Sequence, residues 1–208
     1  METVAETTNA QHRRRENTRQ RLLEAALSVF ARHGYERATV DQIVHEAGFS
    51  KGAFYVHFER KEDLFWTMFE ERMVRQQQAF REAATPGAPV RDTLRAVLRA
   101  VFDLERQEPA WPAMFAEFLA HASRNHKVRE RLAAMIQSWR DLTAQTLAAE
   151  RLAGRLRQDM DIEFVSMALV AVVEGILTQA RLSPDEVRLE EIVDPLARLL
   201  AQWLEPQG

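Results

Sequence analysis

The sequence predicts an all-α protein: an N-terminal three-helix bundle carrying a helix-turn-helix, fused through a long helix to a larger helical domain. Three observations carry that expectation. Apolar residues recur at spacings of three and four over most of the chain, with no period-two alternation. Glycine and proline number only seven each in 208 residues, so helix breakers are few. Ala, Leu, Arg and Glu abound, which favours helices over strands.

Composition narrows the function. Cysteine is absent, which excludes disulfides and thiolate-bound metals. No apolar run approaches the roughly 18 residues of a membrane span, and the first residues lack an apolar signal core. A cytoplasmic protein is expected. The net charge of −3 is unevenly spread. Residues 10–61 hold ten Lys/Arg against six Asp/Glu, while residues 62–208 hold eighteen against twenty-three. A basic N-terminal piece on an acidic body fits a nucleic-acid contact at one end.

Residues 1–12 are polar and aperiodic, and are expected to be a disordered tail. Arg13, Arg14 and Arg15 follow, either as a solvated run or as an arm reaching phosphates. From about Asn17, Leu22, Leu23, Ala26, Leu27 and Phe30 form the buried stripe of a first helix, closed by Gly34. Thr39-Val-Asp-Gln42 has the pattern of a capping box opening a second helix with Ile43, Val44 and Ala47 inside. Gly48 ends it, and Ser50 can cap a third helix running to about His57. Two short helices joined by a glycine-bearing turn are a helix-turn-helix pattern.

A fourth helix from Lys61 towards Ala84 carries Leu64, Phe65, Met68, Phe69 and Met73, and Thr85–Pro89 breaks it. Five more helices follow. The eighth, capped by Asp159 or Asp161, is apolar almost all round and demands cover on more than one side. Ser183-Pro-Asp-Glu186 has the pattern of a second capping box, before a last helix bearing Leu189 to Leu204.

Residues 17–65 contain R-x-x-L-L-x-A-A-L-x-x-F-x-x-x-G-Y, then T-V-D-Q-I-V-x-E-A-G-F-S-K-G-A-F-Y-V-H-F, then K-E-D-L-F. This run resembles the DNA-binding domain of TetR-family transcriptional regulators. Residues 105–180 resemble the C-terminal domain of BetI-like members of that family, in the Trp111 to Ala122 segment, Trp139, the Ala153-Gly154 turn and Glu-Gly-Ile-Leu177. The resemblance implies a homodimer, a palindromic double-stranded DNA operator and a C-terminal domain that binds a small-molecule inducer. It also places a phosphate-contacting lysine at Lys61.

The expected division is therefore a DNA-binding domain over 13–60 and a ligand-binding and dimerisation domain over 61–208. The DNA-contacting residues expected are Thr39, Ser50, Lys51, Gly52, Ala53, Tyr55, Val56, His57 and Lys61. A helix start presents free N–H groups to phosphate, which suits Thr39. Tyr55 has a ring for the groove wall and a hydroxyl for phosphate. Lys51 can donate to guanine O6 and N7, while Gly52 and Ala53 allow close approach to base edges. In the second domain, Trp111, Met114, Phe115, Phe118, Trp139, Met167 and Glu174 are the candidate ligand contacts, with a filled core as the alternative. Helices at about 161–181 and 189–204 are the candidate dimer seam, where Gly175 permits close approach.

No catalytic constellation clusters in the sequence. Glu117 and His121 alone, at i and i+4, lack the further ligands a metal needs, and no cofactor is expected. The expected function is a DNA-binding repressor released by an inducer. The alternatives are an architectural DNA-binding protein without a sensor and an all-α enzyme.

Overall fold

A computed structural model describes residues 2–206. Nine α-helices occur among them, with no strand: α1 (Glu2–His33), α2 (Val40–Ala47), α3 (Lys51–Tyr55), α4 (Lys61–Ala83), α5 (Val90–Gln107), α6 (Trp111–Arg124), α7 (His126–Leu152), α8 (Ile162–Leu182) and α9 (Leu189–Leu204). The all-α expectation holds. Met1, Gln207 and Gly208, included in the expected tail and C-terminal domain, lie outside the described residues.

The expected disordered tail is instead the start of α1. No glycine or proline interrupts the chain between Glu2 and His33, so the i→i−4 ladder runs on past the last buried residue. Polarity is a property of the side chains, whereas a helix is held by its backbone hydrogen bonds.

The helices divide into two compact units that do not follow the 60/61 boundary. The first comprises residues up to 72 together with 108–125; the second comprises 73–107 and 126–208. α4 is one continuous helix whose first half belongs to the first unit and whose second half belongs to the second. α6, expected in the ligand domain, belongs with the DNA-binding helices.

In the first unit Leu22, Ala26, Ile43, Phe54, Leu64 and Phe65 are completely buried. Around them lies an aromatic stack. The Phe65 and Phe118 rings are parallel with centroids 3.8 Å apart, Trp111 stacks on Phe69 at 5.6 Å, and Trp66 meets Phe118 edge-on at 4.9 Å. α6 was predicted from the sequence as a helix, but the ridge of aromatics on α4 determines where it packs. Arg72, buried, pairs with Glu108, and its guanidinium lies over the Trp111 ring. Burying a cation this way requires both a counter-charge and a π face.

The second unit is built on α5 against α9 and α7 against α8. Its core includes Leu98, Phe102, Leu147, Leu156, Val165, Leu196 and Ala197. Asp161 caps α8 through the Phe164 N–H, as its sequence position suggested. The second capping box does not form. The N–H groups of Glu186 and Val187 both donate to the Ser183 carbonyl, which closes a turn, and α9 starts only at Leu189. The proline-led turn is satisfied by its own backbone, so the helix begins where residues that pack on the core resume. Pro195 lies inside α9, on its exposed side.

α8 alone among the described helices has the length and composition to cross a membrane. Ile162, Val165, Leu169, Val170 and Leu177 are buried within their unit, and Glu163, Glu174 and Arg181 are charged residues on its exposed side.

Candidate DNA-reading head and sensor residues

The reading head is built from caps. The Thr39 hydroxyl accepts from the Gln42 N–H while the Gln42 side chain accepts from the Thr39 N–H at 2.9 Å, completing the capping box. Two of the free N–H groups at the start of α2 are thereby ordered. At its other end, Gly48 sits at φ +71°, the left-handed cap that a Cβ disfavours. The Arg21 guanidinium donates to the Ala47 carbonyl and lies over the Phe49 ring, so Phe49 is half-buried beneath a cation. Ser50 then caps α3 by accepting from the Ala53 N–H.

Phe54 and Phe58 anchor α3 from inside. That anchoring leaves the expected reading residues on the outside: Thr39, Ser50, Lys51, Gly52, Tyr55 and Val56 are exposed, and Ala53 and His57 are half-buried. A Cβ on Gly52 would meet nothing closer than the Ser50 Oγ at 3.6 Å, so the space in front of it is open. Tyr55 stands edge-on against Phe54 and is more than half exposed. Lys51 is paired across the turn with Asp41 of α2, Nζ to Oδ1, at 2.8 Å. That carboxylate holds the ammonium above its ordinary pKa. His57 is held below its ordinary value by burial and by the nearby Arg15 and Arg19 cations.

Lys61 is held by backbone carbonyls. Its ammonium donates to the carbonyls of Tyr35 at 2.5 Å, Glu36 at 3.3 Å and Ala38 at 2.9 Å, and it lies over the Tyr35 ring. All three ammonium protons are occupied by the α1–α2 loop. Burial lowers its pKa. An acceptor-rich loop thus faces the cation at this helix start. The sequence could not show this, because three carbonyls from residues 35–38 carry no side-chain signature.

The same loop is held from α6. The Tyr35 N–H donates to Glu117 Oε2 at 2.7 Å, and Glu36 Oε1 meets His121 Nδ1 at 2.8 Å. Gly34 has φ +77°, and a Cβ there would stand 2.6 Å from Glu117 Oε1 and 2.8 Å from its Cδ. Glu117 and His121, spaced as a helical pair in the sequence, therefore fasten the turn that leads into Thr39. Among the described residues no group of three or more His, Cys, Asp or Glu is placed to hold a metal.

The expected ligand residues fall in both units. Trp111, Met114 and Phe118 are buried in the aromatic stack of the first unit, with Phe115 stacked on Phe69. Trp139, Met167 and Glu174 belong to the second unit. There, Trp139 meets the Phe80 ring edge-on at 5.5 Å. Met167 and Glu174 lie on the exposed side of α8. The apolar surroundings of Glu174 raise its pKa, and the Arg140 and Arg181 cations pull it back. On α8, Phe164, Met167, Ala171, Gly175 and Leu182 form an exposed stripe at helical spacing, and Leu199 and Trp203 do the same on α9.

Two capped short helices with a bare polar and aromatic outer face define a helix-turn-helix DNA-binding protein. Comparison with known proteins gives its family. A family model described as bacterial regulatory proteins, tetR family, matches residues 22–66. A second, described as BetI-type transcriptional repressor, C-terminal, matches residues 89–205. The chain belongs to the TetR family and is a DNA-binding transcriptional repressor of that family.

Its relatives are regulators, not enzymes. The transcriptional repressor AcnR of Corynebacterium efficiens is 28% identical over 86% of this chain and 89% of its own length. The transcriptional regulator SrpR of Pseudomonas putida is 26% identical over 82% and 78%. Among solved structures, the complex of SmeT with triclosan superposes with a TM-score of 0.76 at 25% identity, covering 92% of this chain and 93% of that one. SmeT is the repressor of the Stenotrophomonas maltophilia multidrug efflux pump SmeDEF. Regulators of this family bind DNA operators and small-molecule ligands and act as dimers.

Proposed function

We propose that this chain is a cytoplasmic homodimeric repressor that binds a palindromic operator and leaves it when a small-molecule inducer binds. The observation that carries the reading is the outer face of α3. Lys51, Gly52, Tyr55 and Val56 are exposed there while Phe54 is fully buried, between two helix starts whose N–H groups suit phosphate. On this reading Thr39, Ser50, Tyr55 and His57 contact the DNA backbone, and Lys51, Gly52, Ala53 and Val56 face the bases. Lys61 acts at one remove, by holding the loop that sets Thr39.

The apolar stripes on α8 and α9 support the dimer, since residues as large as Phe164 and Leu199 stand more than half exposed in the single chain. A second copy packed at the open face of Gly175 would cover them. Paired heads must then sit about 34–36 Å apart to enter successive major grooves. An inducer that favours another spacing releases the DNA by shifting populations. The SmeT–triclosan complex supports an apolar small molecule as that inducer, with Trp139 and Glu174 as proposed contacts.

The test is selection of bound sites from random duplexes, followed by footprinting of the winner. A two-fold symmetric site protected at moderate salt, and released by a ligand that also raises the melting temperature, is the expected result. Binding without sequence preference, accompanied by DNA bending, would instead favour the architectural reading.

A further inference from the structure

The exposed pair Lys51–Asp41 is a charged feature of the reading head that neither capping nor core packing uses. Thr39 and Gln42 already satisfy the start of α2 between them. An acid in the first turn is favoured there by the helix dipole. That explains why a carboxylate is tolerated at Asp41, but not why it reaches across to the lysine that opens α3. The two side chains meet at 2.8 Å, and both are well exposed. Tyr55 follows Lys51 by four residues, so it shares the same face of α3.

A neutral donor–acceptor pair at this position contributes little to phosphate binding. Its ammonium is already compensated, and its carboxylate repels the backbone. Its chemistry suits the edge of a base pair instead. In the major groove guanine offers two adjacent acceptors, N7 and O6, and its partner cytosine offers the N4 donor. O6 and N4 are themselves joined by the Watson–Crick hydrogen bond, about 2.9 Å long as such bonds are. The separation of Nζ and Oδ1 therefore matches the separation of the two groups they would address.

Resting on the reading that α3 enters the major groove, we propose that Asp41 and Lys51 act as one unit that reads a single G·C pair in each half-site. Lys51 donates to guanine O6 and N7, and Asp41 accepts the outward proton of cytosine N4. The Lys51–Asp41 contact persists in the complex, so neither charge is left unpaired. An A·T pair serves the dyad less well. Adenine N6 can still donate to Asp41, but the ammonium then meets a single acceptor, adenine N7 or thymine O4, in place of guanine's two. Asp41 is thus a specificity-determining residue on the helix that precedes the reading helix. It also suppresses binding elsewhere, because Lys51 cannot be spent freely on phosphates while it is paired.

The test is selection from random duplexes with the wild-type protein, D41N and K51M, followed by titration of each against the selected site and against non-operator DNA over a salt series. Wild type should require G·C at one symmetry-related position per half-site. Replacing that pair should cost roughly tenfold to a hundredfold in affinity. Both variants should lose the preference at that position and keep it elsewhere. On non-operator DNA, D41N should bind more tightly than wild type, with a salt slope steeper by about 0.9, the value of one added phosphate contact.

Both side chains are exposed, and K51M keeps the stem of the lysine, so unchanged helix content and assembly state show that the fold is intact. Three sites with the same preferences, or a wild-type preference for A·T at the position the variants relax, would overturn the dyad while leaving the operator reading in place. A wild-type protein that selects no site at all would overturn the operator reading itself.

Discussion

Replacing Gly34 with alanine should be among the most damaging single-methyl changes in this protein, and the structure says why in two parts. The residue sits at φ +77°, where a Cβ costs about 1–2 kcal/mol on backbone grounds alone. The new methyl would also occupy the place of the Glu117 carboxylate, 2.6 Å from Oε1 and closer still to Oε2. Glu117 must therefore swing away and release the Tyr35 N–H, in a residue only 4% exposed. Leaving that donor without its partner costs a further amount of about 1–3 kcal/mol. G34A should then lose about 2–5 kcal/mol in urea unfolding at fixed protomer concentration, the sum of those two ranges.

A double-mutant cycle separates the parts. E117A alone should forfeit the same hydrogen bond, while the pair G34A/E117A should add only the backbone cost, because the clash has gone. The coupling energy should be about 1–3 kcal/mol, the value of the shared bond. A G34A protein within about 0.5 kcal/mol of wild type, or a cycle that is additive within the usual error, would refute the argument.

Two further outcomes follow from the reading head. K61M should destabilise the protein by about 1–3 kcal/mol by stripping three loop carbonyls of their donor, and should weaken operator binding with the salt slope unchanged. A slope shallower by about 0.9 would mean that the ammonium contacts phosphate after all. His57 has its pKa lowered in the free protein by burial and by Arg15 and Arg19, and a phosphate beside it would raise that pKa in the complex. Binding then takes up a proton. Affinity should rise as pH falls from the pKa in the complex to the lower pKa of the free protein, level off below that, and lose this dependence in H57Q; titrations between pH 5 and 8 check this.

The helix-turn-helix was legible because its signals are local. Thr39 with Gln42, Gly48 and Ser50 each specify a cap within four residues of themselves, and each forms as its pattern requires. The inward positions Ile43, Val44 and Phe54 follow from helical spacing. Local signals misled where the competing interaction was also local but used only backbone: Ser183 and Glu186 satisfy a turn rather than a helix start. Polarity over 2–12 misled in another way, since it reports what a helix can bury and not whether one forms.

What the sequence by itself determined is the set of helices, the caps that frame α2 and α3, and the identity of the outward residues on α3. Side-chain periodicity and capping are properties of neighbours along the chain. What only the tertiary structure decided is partnership. α6 joins the DNA-binding helices because the Phe65, Trp66 and Phe69 ridge meets Trp111 and Phe118. Lys61 finds its carbonyl partners because residues 35–38 fold over it. Glu117 and Asp41 acquire their roles from atoms distant in sequence, 82 residues away for the Tyr35 N–H and across the turn for Lys51. Each of these depends on how two helices pack against each other, and helical periodicity identifies which face of a helix is buried without identifying the face it meets.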